Sequence, residues 1–583
     1  MSMATVAPVK PFISVNDADH PDFDPRSDWP RRLLHIPTMT SHKWLPGNTY
    51  GDVASPDYSI LSYTWGRWRI EDPKSTVEAL CVQNVPWDVP RIELTHFNAA
   101  QFRNTLHLIA DHASTLSGDS NAAPFAWLDV ACIPQWPHSI TADSEVGRQA
   151  QIFRRARYKY VWLTDTRPED LRILFTSNDI GQKLASFRKI LADPWFESMW
   201  TLQESYVSRT APIVTRDGFC NIHWGPRTEP FSLVHVRLYA TLLLNKEKVD
   251  SALELKDSFT AFRETWFRSG LQGIQMPPPM QVLACARHRT CMEVLDRVYG
   301  IMQIFGSECR LGKARLAMTS QQPGQTFTLQ ELEDELGKYL LENITCISQL
   351  FRHEEAPLAG RAWRICGRAS VPWLVGTDAG IGGFGSNPAS QFHGMQPSSA
   401  NNNRNLYPTA CVLSTRTDGS ITWATFRGKL CPLAKILTRL NSINLGLDVT
   451  VSHVSRIYLD SGMDHFTERF GNQALTMLLL TAHTAGQEPF MQPAVYMDAL
   501  LLIEPGDQAL AVHRSRKGWR SELDGSGRQA WARVGIFQFV WDLMTRSAGM
   551  GNFIETMEDE DMFDVNPFLG ETDDWEEQEG IFG

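Results

Sequence analysis

The sequence has no long apolar run. Its best candidate, Ala474–His483, is far shorter than the roughly eighteen residues that a bilayer-spanning helix needs, so a membrane span is excluded. Cysteine is scarce, 10 in 583 residues and scattered. That excludes a disulfide-stapled scaffold and points to a reducing compartment. The first residues, Met1–Phe12, carry one lysine, no apolar core and no small-residue cleavage site, so they do not read as a secretory signal and the expected location is cytoplasmic. Nucleotide and metal signatures are also missing. Gly380–Gly385 has glycine spacing of the dinucleotide type but runs into Ser386-Asn387-Pro388, not a helix. Gly306–Lys313 has one residue too many for a phosphate-binding loop, and Ala314 stands where a magnesium-binding hydroxyl is required. Cys285, His288 and Cys291 lack a second ligand pair, so no metal site is expected. The basic run Arg154–Lys159 reads as a solvated helix face, not a nucleic-acid patch.

The net charge of −11 is localised. Twelve carboxylates and no Lys or Arg fall between Glu555 and Glu579, which leaves 54 acidic against 55 basic residues elsewhere. Such a tail reads as unstructured, either solubilising or partner-binding.

What the chain does have is four short aromatic blocks in its first 210 residues: Tyr58–Arg67, Trp127–Trp136, Tyr160–Thr166 and Trp195–Ser205. The first three read as buried strands, the second of them over Ala126–Ile133. The fourth reads as a helix that starts at Asp193-Pro194, with Asp as N-cap and Pro in the first turn. Between them, Phe102, Leu106, Ile109, Ala113 and Leu116 step along one helix face, and Glu145–Tyr158 and Gln182–Leu191 are further helices. Short apolar strands separated by helices indicate a parallel sheet covered on both faces, with ligands expected at the strand carboxyl ends. Downstream, Asp296–Ser307 reads as an apolar helix. The expected organisation is an arm over residues 1–55, the α/β domain over 56–225, a largely helical region over 226–408 with a Gly/Asn-rich insert, a mixed α+β region over 409–545, and the acidic tail over 546–583.

The blocks resemble the fungal heterokaryon incompatibility (HET) domain. Ser62-Tyr63-Thr64-Trp65-Gly66 fits its first strand, and Trp127-Leu128-Asp129 through Cys132-Ile133-Pro134-Gln135 fits its second block, with Pro134 in place of the usual Asn. Trp195, Phe196, Trp200, Gln203 and Glu204 fit the closing block without gaps, while Lys159 and Thr164 depart from the third. Asp296–Gly300 resembles a block often found downstream. The resemblance implies a TIR-like (flavodoxin-like) parallel sheet flanked by helices, followed by a mixed α+β region. It also implies a role in non-self recognition (allorecognition) and programmed cell death, a partner of unknown identity, and a homo-oligomer formed through the HET domain.

Many TIR domains cleave NAD with one glutamate in a Trp-x-x-x-Glu context, and Trp200 and Glu204 have that spacing. Nicotinamide leaves as a neutral group, so the chemistry needs one fixed carboxylate beside the ribose, where positive charge develops, and no metal or bound cofactor. A helix sets residues i and i+4 one turn apart on one face. On this reading NAD is a substrate, Glu204 is the catalytic residue, and Tyr63, Trp65, Gly66, Asp129, Gln135, Trp200 and Gln203 contact the ligand. The other reading is a non-enzymatic signalling and self-assembly module in which the same residues pack. A buried, paired Glu204 would favour the second.

Overall fold

The computed structural model describes residues 20–582 apart from 119–123, 137–138, 225–226, 250–254, 272–278, 307, 319–324, 356, 358–360, 368, 372–410, 419–420, 437–454, 461–473, 486–493, 504–528 and 541–575. The Gly/Asn-rich insert and most of the acidic tail lie outside the described residues. The chain divides into two compact units. The first comprises residues 1–172, 210–232 and 313–325, and the second comprises 173–209, 233–312 and 326–583.

The first unit is built on a nine-stranded sheet. In chain order its elements are β1 (Arg32–His35), β2 (Thr40–Leu45), β3 (Thr49–Tyr50), β4 (Val53–Ala54), β5 (Tyr58–Ser62), α1 (Ala99–Ser117), β6 (Phe125–Trp127), α2 (Asp129–Cys132), α3 (Ile140–Val146), α4 (Gln149–Arg155), β7 (Tyr158–Trp162), the first five residues of α5 (Pro168–Thr176), β8 (Ile213–Thr215) and β9 (Gly218–Phe219). A separate hairpin, β10 (Asn221–Trp224) and β11 (Arg227–Pro230), follows. Sheet order is β4-β3-β2-β1-β6-β5-β7-β8-β9. Only β6-β5-β7-β8 run parallel. The expectation of a wholly parallel sheet is therefore corrected to a mixed one.

The antiparallel half comes from the segment expected as an arm. From Arg32 onward that segment is part of the sheet, because Leu33 and Leu34 of β1 are both fully buried where β1 lies between β2 and β6. The expected strand Ala126–Ile133 is also shorter. It stops at Trp127, and Asp129 opens a helical turn instead of lying inside a strand. The turn is closed by backbone bonds, from the Cys132 N–H to the Leu128 carbonyl at 2.8 Å and from the Ile133 N–H to the Asp129 carbonyl at 2.9 Å, while the Asp129 carboxylate accepts from the Val130 N–H at 2.8 Å.

Helix α1 follows its sequence signals closely. Asn98 and Gln101 form a reciprocal capping box, and Gly118 ends the helix in the left-handed region at φ 71°. Phe102, Leu106, Ile109 and Ala113 are buried as the periodicity predicts, but Leu116 is exposed in the last turn. Between α3 and α4 a charged cluster is buried. Glu145 and Arg148 are both fully enclosed and paired, and Arg31 reaches the same carboxylate at 3.3 Å.

The second unit holds α6 (Ile180–Leu191), α7 (Met199–Val207), α8 (Leu233–Val249), α9 (Lys256–Ser269), α10 (Pro279–Ala286), α11 (Asp296–Tyr299), the first residue of α12 (Gly312–Met318), and α13 (Leu329–Asn343). A short pair, β12 (Arg352–His353) and β13 (Ala369–Ser370), precedes β14 (Cys411–Asp418), β15 (Ile421–Pro432), β16 (Ser455–Leu459), β17 (Leu475–Ala485), β18 (Ala494–Ile503), β19 (Gln529–Val540) and β20 (Glu576–Phe582). Six of these strands form an antiparallel half-barrel in the order β14-β15-β17-β18-β19-β16, and β20 is hydrogen-bonded antiparallel to β15 and parallel to β19. The end of the acidic tail is therefore a strand, not unstructured chain. Its Phe582 is fully buried, which supplies apolar burial that the carboxylates alone lack.

Candidate functional site

The sequence-predicted site residues fall into two groups, one in each unit. In the first unit, β5 and β6 are parallel neighbours with Ile60 opposite Trp127, so the residues just past their carboxyl ends come side by side. There the Tyr63 hydroxyl donates to Asp129 Oδ1 at 2.6 Å and the Trp65 indole N–H donates to Oδ2 at 2.5 Å. With the Val130 amide, Asp129 accepts from three donors. Desolvation pushes its carboxyl above the ordinary range, and these hydrogen bonds, Tyr63's first, oppose the rise. Gln135 braces the same turn by donating to the carbonyls of Asp129 at 3.1 Å and Ile133 at 2.9 Å. Gly66 opens the short 3₁₀ turn Gly66–Trp68.

The structure thus brings Tyr63, Trp65, Asp129 and Gln135 together as a hydrogen-bonded hub. Tyr63 and Trp65 also line an apolar pocket with Leu80, Ile92, Phe97 and Phe102.

Sequence reasoning missed His96. Its Nε2–H donates to the Thr64 carbonyl at 2.6 Å, and its Nδ1 accepts from Thr164 Oγ1 at 3.3 Å. Thr64 and Thr164 follow β5 and β7, the adjacent parallel strands between which strand order reverses. The ring stacks on Trp68 at 3.7 Å. Burial lowers its basicity, with the Thr64 bond opposing. His96 lies in an aperiodic loop before α1, so no sequence pattern marked it.

In the second unit, Trp200, Gln203 and Glu204 sit on α7. This helix does not start at Pro194 as expected. Asp193 caps only the 3₁₀ turn Pro194–Phe196, and the chain is extended at Ser198, where it bridges to Thr290 before α7 begins at Met199. Met199 N–H donates to the Thr290 carbonyl at 2.9 Å. Arg289, also missed, holds this bend. Its guanidinium is fully enclosed and donates to the carbonyls of Trp195 and Ser198 and to Thr201 Oγ1, each at 3.0 Å, and to the Ser269 carbonyl. Desolvation pushes it down to about 9.

The polar side chains of α7 meet the downstream block. The Trp200 indole donates to Asp296 Oδ2 at 3.0 Å, and Gln203 Oε1 accepts from the Gln303 N–H at 3.1 Å. The expected helix Asp296–Ser307 is broken there into α11 and a 3₁₀ turn, Met302–Ile304. Gly300 sits at the break, and a Cβ on it would come within 2.9 Å of the Met199 side chain. Glu204 is buried, with 9% of its surface exposed.

A family model described as "Heterokaryon incompatibility protein (HET)" matches from the start of β5 to Glu204. Residues 58–204 are a HET domain. The match covers about a quarter of the chain. A search of curated proteins and a search of solved structures found no match. The HET match crosses the division into units, since its residues from Ile173 belong to the second. Asp296 and Gln303 lie beyond the matched span, so α7, the closing helix of the HET domain, takes hydrogen-bond partners from outside it. Among the described residues no group of three His, Cys, Asp or Glu side chains is arranged to hold a metal, and no helix is long and apolar enough to cross a membrane.

Proposed function

We propose that this chain acts in heterokaryon incompatibility as a signalling module, through its HET domain, and that the downstream region controls the domain by its hold on α7. One observation carries this reading over an enzymatic one: Trp200 and Gln203, the residues expected to contact a ligand, are hydrogen-bonded to Asp296 and Gln303 of the same chain. A helix face spent on internal partners suits relay better than catalysis. The output would be growth arrest or cell death on contact with a non-self partner, with self-assembly through the HET domain as the transmitting step.

The second reading is NAD glycohydrolysis at Glu204. Two features support it. Glu204 and Trp200 lie one turn apart on α7, and the parallel strands β6-β5-β7-β8 have the 2-1-3-4 order of a flavodoxin-like sheet, as a TIR-like fold requires. The carboxylate would stabilise positive charge developing on the ribose as nicotinamide leaves.

The two are separated by incubating the concentrated full-length protein with NAD and following nicotinamide release, beside Glu204→Ala and Glu204→Gln. Signalling predicts no release from any of the three while wild-type expression still arrests growth. Release by the wild type that both variants abolish would establish the enzyme and overturn the signalling-only reading.

A further inference from the structure

The second unit contains two thiols in contact. Cys346 lies in the 3₁₀ turn Thr345–Gln349 that follows α13, and Cys411 is the first residue of β14. Their sulfurs are 3.2 Å apart although the residues are 65 positions apart in sequence. Both are buried, at 0% and 6% exposure, and both are free thiols. The Cys346 sulfur is also held 3.2 Å from the Cys411 carbonyl oxygen. Opposite Cys411 in the β14–β15 register stands Gly428, where a Cβ would come within 2.4 Å of the Cys411 Cβ. The strand pair therefore leaves the space around Cys411 free of a cross-strand side chain. A bonded sulfur pair sits at about 2.05 Å, so closure asks for a movement of about 1 Å shared between two side chains.

We propose that Cys346 and Cys411 are a modification site: on exposure to a peroxide they form an intramolecular disulfide that fastens the turn after α13 to the first strand of the half-barrel. One thiolate attacks a peroxide oxygen and releases hydroxide, giving a sulfenic acid. The second thiolate attacks that sulfur and expels the hydroxide. Two thiols are oxidised, one hydrogen peroxide is reduced, and two waters result. The attacking form is the thiolate, and hydrogen bonding to Cys346 together with burial raises the Cys411 thiol, so the reaction is slow at neutral pH and accelerates as pH rises. The crosslink reaches toward the HET domain through α13. Glu333 and Leu336 of that helix line the same groove as Met199 of α7. Oxidation thereby stiffens one wall of the groove beside the helix whose hold the proposed function invokes, but the disulfide itself does not depend on that function.

The test treats the full-length protein with hydrogen peroxide at pH 7 and pH 8.5, then acid-quenches, denatures, alkylates and maps peptides without reduction. The expected product is a Cys346–Cys411 linked peptide, lighter than the two free peptides by two hydrogens, formed faster at pH 8.5 and lost on adding dithiothreitol. The oxidised wild type should melt at a higher temperature than the reduced form, and Cys346→Ser and Cys411→Ser should each abolish that difference. Recovery of both cysteines fully alkylated, oxidised separately to sulfinic acids, or linked to other cysteines would overturn the proposal. Because the peptide map is made on the wild type, a serine variant that fails to fold does not blunt the test.

Discussion

Asp129 is the most demanding residue of the first unit. Three donors, from Tyr63, Trp65 and Val130, converge on one carboxylate. An asparagine at this position offers one acceptor oxygen and turns an amino group toward a donor. Asp129→Asn is expected to cost about 1–3 kcal/mol, read as a shift in the urea midpoint at pH 7. The pH dependence has a definite sign. Desolvation raises the folded-state value of Asp129, so the folded chain holds this proton more tightly than the unfolded chain does. Its contribution is then complete below about pH 4, the unfolded value, and is lost as pH rises through the raised folded value. The stability gap between wild type and Asp129→Asn should accordingly be wider at pH 4 than at pH 7. A gap that grows with pH would contradict the raised assignment. An aspartate at position 129, inside the apolar segment Ala126–Ile133, is readable as a residue in need of partners. Which partners it takes is not, because Tyr63 and Trp65 lie more than sixty residues away and meet it only through the parallel pairing of β5 with β6.

At the scale of elements, α7 depends on interactions that its own sequence does not contain. Nine residues are too few to hold a helix by propensity alone. The helix is held from outside by Arg289, Thr290, Asp296 and Gln303. Trp200→Phe keeps an aromatic ring, though a smaller one, and deletes the indole N–H bond to Asp296. The expected cost is about 1–2 kcal/mol, and amide hydrogen exchange in α7 should quicken about tenfold while exchange in α1 is unchanged. Equal quickening in both helices would mean global destabilisation and not a local hold. This dependence also explains why the sequence placed the helix start five residues early. Asp193 and Pro194 are valid start signals, and they do initiate a turn, but the tertiary bridge of Ser198 to Thr290 interrupts it. At the break in Asp296–Ser307, Gly300 stands where Met199 approaches and leaves no room for a side chain.

For the molecule as a whole, the C-terminal strand carries a disproportionate load. β20 runs antiparallel to β15 from Ala424 to Leu430 and parallel to β19 from Gln529 to Trp531. Deleting residues 576–583 would leave both strands with unpaired edges and remove the buried Phe582 from beside Phe426. The truncated chain should aggregate, and light scattering after size exclusion is expected to show large species where the full chain gives a discrete peak. A truncated chain with an unchanged discrete peak would remove β20 from the account. From composition alone the tail reads as twelve carboxylates without a basic residue, an unstructured signature, and residues 576–582 form a strand because β15 and β19 offer backbone partners and Phe582 is buried.

Some properties were carried by local pattern and needed no fold to be seen. The apolar stripe of α1 and its caps, the buried strands β5 and β7, and the aromatic blocks of the HET domain all depend on residues a few positions apart, so spacing alone exposes them. Other properties arise from atoms that become neighbours only on folding: the Asp129 hub, the His96 bridge between Thr64 and Thr164, the Arg289 brace, the contact of Cys346 with Cys411, and the closure of β20 on two strands. Each joins partners dozens to more than a hundred residues apart, and at such separations a side chain's chemistry says that it needs a partner without saying which. The four blocks therefore carried the family, and long-range hydrogen bonding decided which of their side chains are already engaged within the chain.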